Sequence, residues 1–186
     1  MKKIVLTFGL ISGVILVAPM LILMPLYLDG SINFDNGELF GYTSMILAFM
    51  MVFFAIRSYR ENVNGGVITF WRGFKVGILV SLIGCAAYVL AWEIYFYNFA
   101  PDFFEKYSAH ALAKMRTNGA SEAEISAQAA QFATIGKYYS NPIVNVAMTF
   151  MEAFPVALIM TLISAAILRK KPGTGGASQN TATAVA

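Results

Sequence analysis

Four long runs of apolar residues, separated by polar segments, dominate the chain. The runs cover about residues 4–28, 39–56, 74–99 and 142–168. Because an α-helix rises about 1.5 Å per residue, about 20 apolar residues cross the roughly 30 Å of hydrocarbon in a bilayer. The pattern therefore predicts an all-α, polytopic membrane protein with four transmembrane helices.

The first run has a basic start, Lys2 and Lys3, and continues to Leu28. A secretory signal shares the basic start, but its apolar region is only about 7–15 residues long and ends at a small-residue cleavage site. Pro19 and Pro25 lie where that site would be sought. We therefore interpret this run as an uncleaved first span, kinked at its prolines; removal as a signal peptide is the alternative.

A polar segment, residues 101–140, separates the third and fourth runs and contains helix signals of its own. Ser121 and Glu124 have the spacing of a capping box, which begins a helix just after the turn pair Asn118-Gly119. Apolar residues recur at helical spacing on both sides of this turn. They are Phe104, Tyr107, Ala111 and Met115 before the turn and Ile125, Ala129, Phe132 and Gly136 after it.

This spacing predicts two amphipathic helices folded as a hairpin over one end of the bundle. The alternative places the first of these helices in the lipid interface, with Phe103, Phe104 and Tyr107 as anchors.

Charge predicts the orientation, because lysine and arginine in short loops near span ends remain in the cytoplasm. The first set of connections comprises both termini and the segment between the second and third spans, and it holds many bases and one acid, Glu61. The second set comprises the other two connections and is rich in acids. We therefore expect both termini in the cytoplasm and an extracytoplasmic hairpin at 101–140. The bases of the first set are Lys2, Lys3, Arg57, Arg60, Arg72, Lys75, Arg169, Lys170 and Lys171; the acids of the second are Asp29, Asp35, Glu38, Asp102, Glu105, Glu122 and Glu124.

The composition supports the membrane class. Of the 186 residues, 58% are hydrophobic and 12% are charged, whereas soluble domains carry about 25% charged residues. The mean hydropathy is +0.65. The lipid bilayer is therefore the expected partner. The net charge of +3 arises from bases that flank the spans, so orientation explains it and no nucleic-acid partner is expected.

Two acids lie inside the predicted spans, Glu93 in the third and Glu152 in the fourth. Charge in hydrocarbon is costly, so an intramembrane carboxyl is a functional-site hypothesis. Asn145 and Thr149 share a helix face with Glu152, and Tyr97 lies one turn from Glu93. Together these five residues predict a polar pocket open to the outside. The alternatives are that the acids only tie helices together, and that outer span ends are simply more polar.

Glycines predict close helix packing. Gly73, Gly77 and Gly84 share one face of the third span, and the first span contains Gly9-x-x-x-Gly13. Such glycines let helices approach closely in lipid. We expect them to pack within the monomer, which makes the third span the central helix; dimerisation through them is the alternative.

Catalytic and metal-binding motifs are lacking. Cys85 is the single cysteine and lies mid-span, while His110 is the single histidine and has no cluster of ligands around it. The sequence contains no nucleophile elbow, H-E-x-x-H or dinucleotide fingerprint. We therefore predict a protein that is not an enzyme and uses no cofactor or metal.

Several short segments occur in a specific combination: residues 2–13 (KKIVLTFGLISG), 32–38 (INFDNGE), 56–60, 74–77, 91–95 (AWEIY), 120–125 and 162–168. Together they resemble a bacterial membrane-protein family known as domain of unknown function 4199. The resemblance covers about residues 1–171, and it implies four spans in a bacterial inner membrane. It implies no activity and transfers no catalytic residue. The tail, 172–186, lies outside the pattern; its lack of apolar periodicity predicts a disordered cytoplasmic segment.

The functional prediction is an integral membrane module without enzymatic activity, which assembles or regulates a membrane partner through the outer hairpin. The partner is another membrane protein or a second copy of the chain. The alternative is a small proton-linked transporter or channel subunit that uses Glu93 and Glu152. Four spans make a thin wall for a pore, so that alternative implies an oligomer. A third hypothesis is lipid binding in the outer pocket.

Overall fold

The computed structural model describes residues 1–32 and 37–170 of the chain, except for the side chain of Glu38. Asp35, Lys171 and the tail, for which predictions were made above, lie outside the described residues. Six helices form the described part, and it contains no β-strand. They are α1 (Lys2–Leu28), α2 (Gly37–Asn62), α3 (Phe70–Phe99), α4 (Phe103–Thr117), α5 (Glu122–Tyr139) and α6 (Pro142–Leu168).

Four of these helices, α1, α2, α3 and α6, are long and apolar enough to cross a membrane. The all-helical class and the four spans are therefore confirmed, and the protein is a multi-pass membrane protein. Two helices are longer than their apolar runs: α2 continues past 56 to Asn62, and α3 begins at Phe70 rather than 74. An apolar run indicates only the part of a helix that lies in lipid. The helix itself can continue into water, because its backbone hydrogen bonds do not depend on apolar side chains.

The helix α3 lies at the centre of the bundle and contacts α1, α2 and α6. It runs parallel to α1, since Gly9 of α1 meets Ile83 and Gly13 meets Ala87. It runs antiparallel to α6, since Ser81 hydrogen-bonds Thr161 at 3.0 Å while the later residue Trp92 reaches the earlier residue Asn145.

Small residues permit these contacts. A methyl group added to Gly9 would lie 2.7 Å from Cβ of Ile83, and one added to Gly13 would lie 2.7 Å from Cβ of Ala87. A methyl group added to Gly84 would lie 2.9 Å from Oγ of Ser12. The residues that contact these glycines therefore belong to the same chain. This agrees with helix packing within the monomer and not with dimerisation through the glycines.

The start of α5 has the local structure that its sequence predicts. The side chain of Ser121 accepts a hydrogen bond from the backbone N–H of Glu124, and the backbone N–H of Ser121 donates to Glu124 Oε2 at 2.8 Å. This capping box stabilises the helix start. The hydrogen bonds from Ser121 hold the pKa of the Glu124 carboxyl below its ordinary value. Gly119, with φ of +81°, makes the turn before it.

The helices α4 and α5 pack against each other as a pair, which we call the outer pair. The ring of Phe132 lies 6.2 Å from that of Phe104 and 6.3 Å from that of Tyr107. A methyl group on Gly136 would lie 3.1 Å from the Phe104 ring. Phe104 and Tyr107, which the interfacial alternative would use as lipid anchors, thus contact α5 instead. The side of the membrane on which the pair lies stays a prediction.

The opposite end of the bundle is tied together by the connection between α2 and α3. The backbones of Ile68 and Lys170 exchange two hydrogen bonds of 2.9 Å. Arg60 donates to the carbonyl of Leu168 at 3.1 Å, which satisfies an acceptor at the end of α6. These contacts hold the last turn of α6 beside the basic residues of this end.

Candidate functional site

A buried polar network lies where α3, α5 and α6 meet. Asn145, which has no solvent exposure, is its centre. The Oδ1 atom of Asn145 accepts hydrogen bonds from Trp92 Nε1 at 3.0 Å and from Thr149 Oγ1 at 3.2 Å. Its Nδ2 donates to the carbonyl of Tyr139 at 3.3 Å. We call Trp92, Tyr139, Asn145 and Thr149 the polar network.

Two members of the polar network, Asn145 and Thr149, were predicted from their spacing on one face of the fourth span. Trp92 and Tyr139 were not predicted. Trp92 lies in the apolar third span and Tyr139 at the end of the polar segment 101–140, and helical spacing connects neither of them to Asn145. The available signal was the indole N–H, because a buried tryptophan N–H usually has a hydrogen-bond partner.

Aromatic rings surround the polar network and connect it to the outer pair. The Trp92 ring lies 5.1 Å from the Phe103 ring in an edge-to-face arrangement. The ring of Phe96 lies 5.4 Å from that of Tyr139, and Phe104 stacks on Tyr139 at 5.7 Å. The outer pair is therefore held on the bundle by one compact cluster of rings and hydrogen bonds.

Glu152 lies outside the polar network and faces a cavity of about 690 Å³ between α4 and the bundle. The described walls of this cavity come from the end of α1, the start of α2, one face of α4 and Glu152 on α6. A volume of this size is typical of small-molecule sites. Glu152 is thus the intramembrane acid that reaches an open space.

Glu93 has a different environment. Its side chain is half-buried, and its Oε1 atom is shielded from solvent without a hydrogen-bond partner in the described part of the chain. It does not contribute to the described walls of the cavity. Tyr97, the predicted neighbour of Glu93, is 42% exposed and donates a hydrogen bond to the Ser140 carbonyl at 3.5 Å.

The pKa of Tyr139 is influenced by both acids. Burial raises the pKa of the Tyr139 hydroxyl above its ordinary value, and the charges of Glu152 and Glu93 act in the same direction. The acids therefore flank the polar network without lining one pocket. The predicted set of five residues is divided between the network (Asn145, Thr149), the cavity (Glu152) and the edge of α3 (Glu93, Tyr97).

Among residues 1–32 and 37–170, no three His, Cys, Asp or Glu side chains are grouped so that they could hold a metal ion. Cys85 is buried in the apolar core. What the arrangement offers chemically is one carboxyl in a cavity, a second carboxyl with a shielded oxygen, and a closed hydrogen-bond network between them.

A family described as "Protein of unknown function (DUF4199)" matches residues 7–170, which confirms the resemblance identified from the sequence. No curated protein and no solved structure matches the chain.

Proposed function

The chain belongs to the DUF4199 family, and we propose that it is a non-enzymatic module of the bacterial inner membrane that assembles or regulates a membrane partner. The proposal rests on the outer pair. This pair is held on the bundle by the polar network and its rings, so that its outward face has a defined position. A fixed surface loses little conformational freedom when a partner binds to it.

The outward face of α5 is suited to another helix. No charged residue occurs between Glu124 and Lys137, and Ala127, Ala130 and Ala133 in this stretch are exposed. A helix face that only contacts water is usually charged or strongly polar. Small residues also allow a second helix to approach closely. An uncharged, small-residue face on a fixed helix therefore supports a protein partner at this surface.

The charge distribution supports the orientation that this function requires. The exposed bases Lys3, Arg57, Lys75 and Arg169 lie in or beside the helix turns at the bundle end opposite the outer pair. By the positive-inside rule that end is cytoplasmic, so we place both termini inside and the outer pair outside.

The packing of the bundle supports a module rather than a pore within one chain. Phe49, Val80, Ala153 and Ala157 have no solvent exposure and fill the middle of the described bundle. A conducting path needs polar or wet walls along its length. In a single chain, the middle of the bundle is closed to water by these residues.

The test is the mass of the complex extracted from its own membrane in a mild detergent that preserves lipid. We expect a stoichiometric second protein with the natural chain, and at least a tenfold loss of that protein in Ala127→Lys/Ala130→Lys, because two buried charges cost more than about 1.4 kcal/mol of binding free energy. The matched variant Ala127→Ser/Ala130→Ser keeps the face small and neutral and should retain the partner. Equal partner content in both variants contradicts the proposal, and a homo-oligomer alone favours the second candidate function described next.

A second candidate function, a proton-linked transporter or channel subunit, is favoured by one observation. Glu152 faces the cavity, and Glu93 holds a shielded oxygen without a hydrogen-bond partner in the described part of the chain. Intramembrane carboxyls in such settings are typical of proton relays. This function needs an oligomer, because the single bundle is closed.

For this candidate, the double variant Glu93→Gln/Glu152→Gln in proteoliposomes should abolish proton-driven flux while its helical content and unfolding midpoint stay at the values of the natural chain, since glutamine keeps the shape but carries no proton. Flux at the natural rate in the double variant would remove the candidate.

A further inference from the structure

The cavity beneath α4 adjoins a smaller crevice between α1 and α2. The crevice has a volume of about 80 Å³ and is mostly apolar, with Leu16, Pro19 and Met45 among its walls. Met24, Tyr27, Gly37 and Gly41 line both spaces. Cavity and crevice therefore form one candidate amphipathic site, with its charged side chains beneath α4 and its more apolar part between the spans.

Side chains of opposite charge lie on different walls of this site. Lys114 of the described lining belongs to α4, whereas the acidic side chain, Glu152, belongs to α6. A ligand with one negative and one positive group matches this separation. A ligand with negative charge alone would leave Glu152 without a countercharge in a region where charge is costly.

The surroundings of Glu152 favour an organic cation. Glu152 forms no hydrogen bond or ion pair with another residue of the described part. The rings of Tyr27, Tyr42 and Tyr107 line the same cavity. Aromatic faces attract ammonium groups within about 6 Å, and rings combined with a carboxylate are a known arrangement for binding them. A divalent metal ion would need more oxygen ligands than one carboxylate offers.

The crevice is suited to an apolar part of the same ligand. It shares four described wall residues with the cavity that Glu152 lines, so the acid and the apolar part belong to adjoining spaces. The crevice walls reach from Tyr27 to Leu16 along α1, which is about 16 Å of helix. An acyl chain is the group that a membrane supplies to an apolar space between two spans.

We propose that this amphipathic site binds a phospholipid with a zwitterionic, amine-bearing headgroup. Its ammonium group lies against Glu152 and the tyrosine rings, its phosphate lies on the α4 wall beside Lys114, and the first part of an acyl chain enters the crevice. The site is independent of the proposed partner surface, since the outward alanines of α5 are not among its walls.

The test uses the full chain in vesicles of equal parts phosphatidylethanolamine and phosphatidylglycerol, which differ in the ammonium group. After extraction in mild detergent, native mass spectrometry counts the lipids retained by each chain. We expect a single phosphatidylethanolamine, retained in at least tenfold preference over phosphatidylglycerol, a ratio equal to about 1.4 kcal/mol. Glu152→Gln should abolish the preference, and the matched variant Glu93→Gln should keep it.

A steric variant tests the crevice separately and does not depend on how Glu152→Gln folds. Gly41 lines both spaces, and a Cβ atom added there meets no described atom within 4 Å, so Gly41→Leu adds bulk at the wall of the crevice. It should reduce retained phosphatidylethanolamine at least tenfold. Equal retention of the two lipids, unchanged retention in Gly41→Leu, or binding of soluble ethanolamine phosphate with no lipid preference would each overturn the proposal.

Discussion

Replacement of Trp92 by alanine is expected to lower the free energy of unfolding by about 3–5 kcal/mol, the usual cost of removing a large buried aromatic side chain. Trp92 is 4% exposed. Its ring contacts the rings of Phe96 and Phe103, at 5.8 and 5.1 Å between centroids, and its N–H donates to Asn145. The substitution therefore opens a space between the bundle and the outer pair and removes one of the hydrogen bonds of Asn145.

The largest consequence should appear in the outer pair. The described contacts of α4 with the bundle centre on the cluster around Phe103 and Trp92. If 3 kcal/mol of this stabilisation is lost, the open state of the pair becomes about 100-fold more populated. Proteolysis within residues 101–140 should accelerate by the same factor, and equilibrium unfolding in mixed micelles should report the loss of stability.

Trp92→Phe is the matched control. It keeps an aromatic ring in the cluster but removes the indole N–H and part of the ring, while Asn145 Oδ1 retains its hydrogen bond from Thr149. Its expected cost is more than the about 0.5–1.5 kcal/mol of one hydrogen bond and less than the cost of Trp92→Ala. A natural rate of proteolysis in Trp92→Ala would mean that the outer pair is held by contacts other than the polar network and its rings.

The contrast between Trp92 and the capping box illustrates what could be predicted from the sequence. Ser121 and Glu124 are three residues apart, so their hydrogen bonds follow from local helix geometry. The four spans follow from a constraint that is equally independent of tertiary structure, because hydrocarbon requires long uncharged helices. These features were predicted and are present in the structure.

The polar network could not be predicted in the same way. Trp92 and Asn145 are 53 positions apart, and their contact depends on how α3 and α6 rotate about their own axes. Helical spacing gives the angle between two residues of one helix, such as Asn145 and Thr149, but not the angle between helices. The cavity beside Glu152 depends in addition on the position of α4, which packing alone determines.

Substitution of Gly77 by leucine is the second change with a large expected effect, because α3 packs closely against both α2 and α6 there. A methyl group on Gly77 would already lie 2.8 Å from Thr161 Cγ2 and 2.9 Å from Val52 Cγ1. Leucine adds three further carbon atoms in a position that is fully enclosed by α2 and α6. We expect a loss of about 1–3 kcal/mol or more, as overpacking in a close-packed core requires the helices to separate.

The neighbouring glycine provides a control in the same helix, one turn away. At Gly73 an added methyl group would lie 3.4 Å from Ile56 Cγ2 and 3.5 Å from Ala165 Cβ, which is ordinary contact. Gly73→Ala should therefore change the unfolding midpoint much less than Gly77→Ala. The order Gly73→Ala, Gly77→Ala, Gly77→Leu is the expected order of decreasing stability in mixed micelles.

This series also separates packing within the monomer from dimerisation through the same glycines. If Gly73 and Gly77 served a dimer, Gly77→Leu would dissociate it in sedimentation experiments and leave the unfolding of the monomer unchanged. In the structure both glycines are covered by side chains of the same chain, Val52, Ile56, Thr161 and Ala165. The cost of Gly77→Leu should accordingly appear in the stability of the single chain at every protein concentration, since no second copy takes part in the contact.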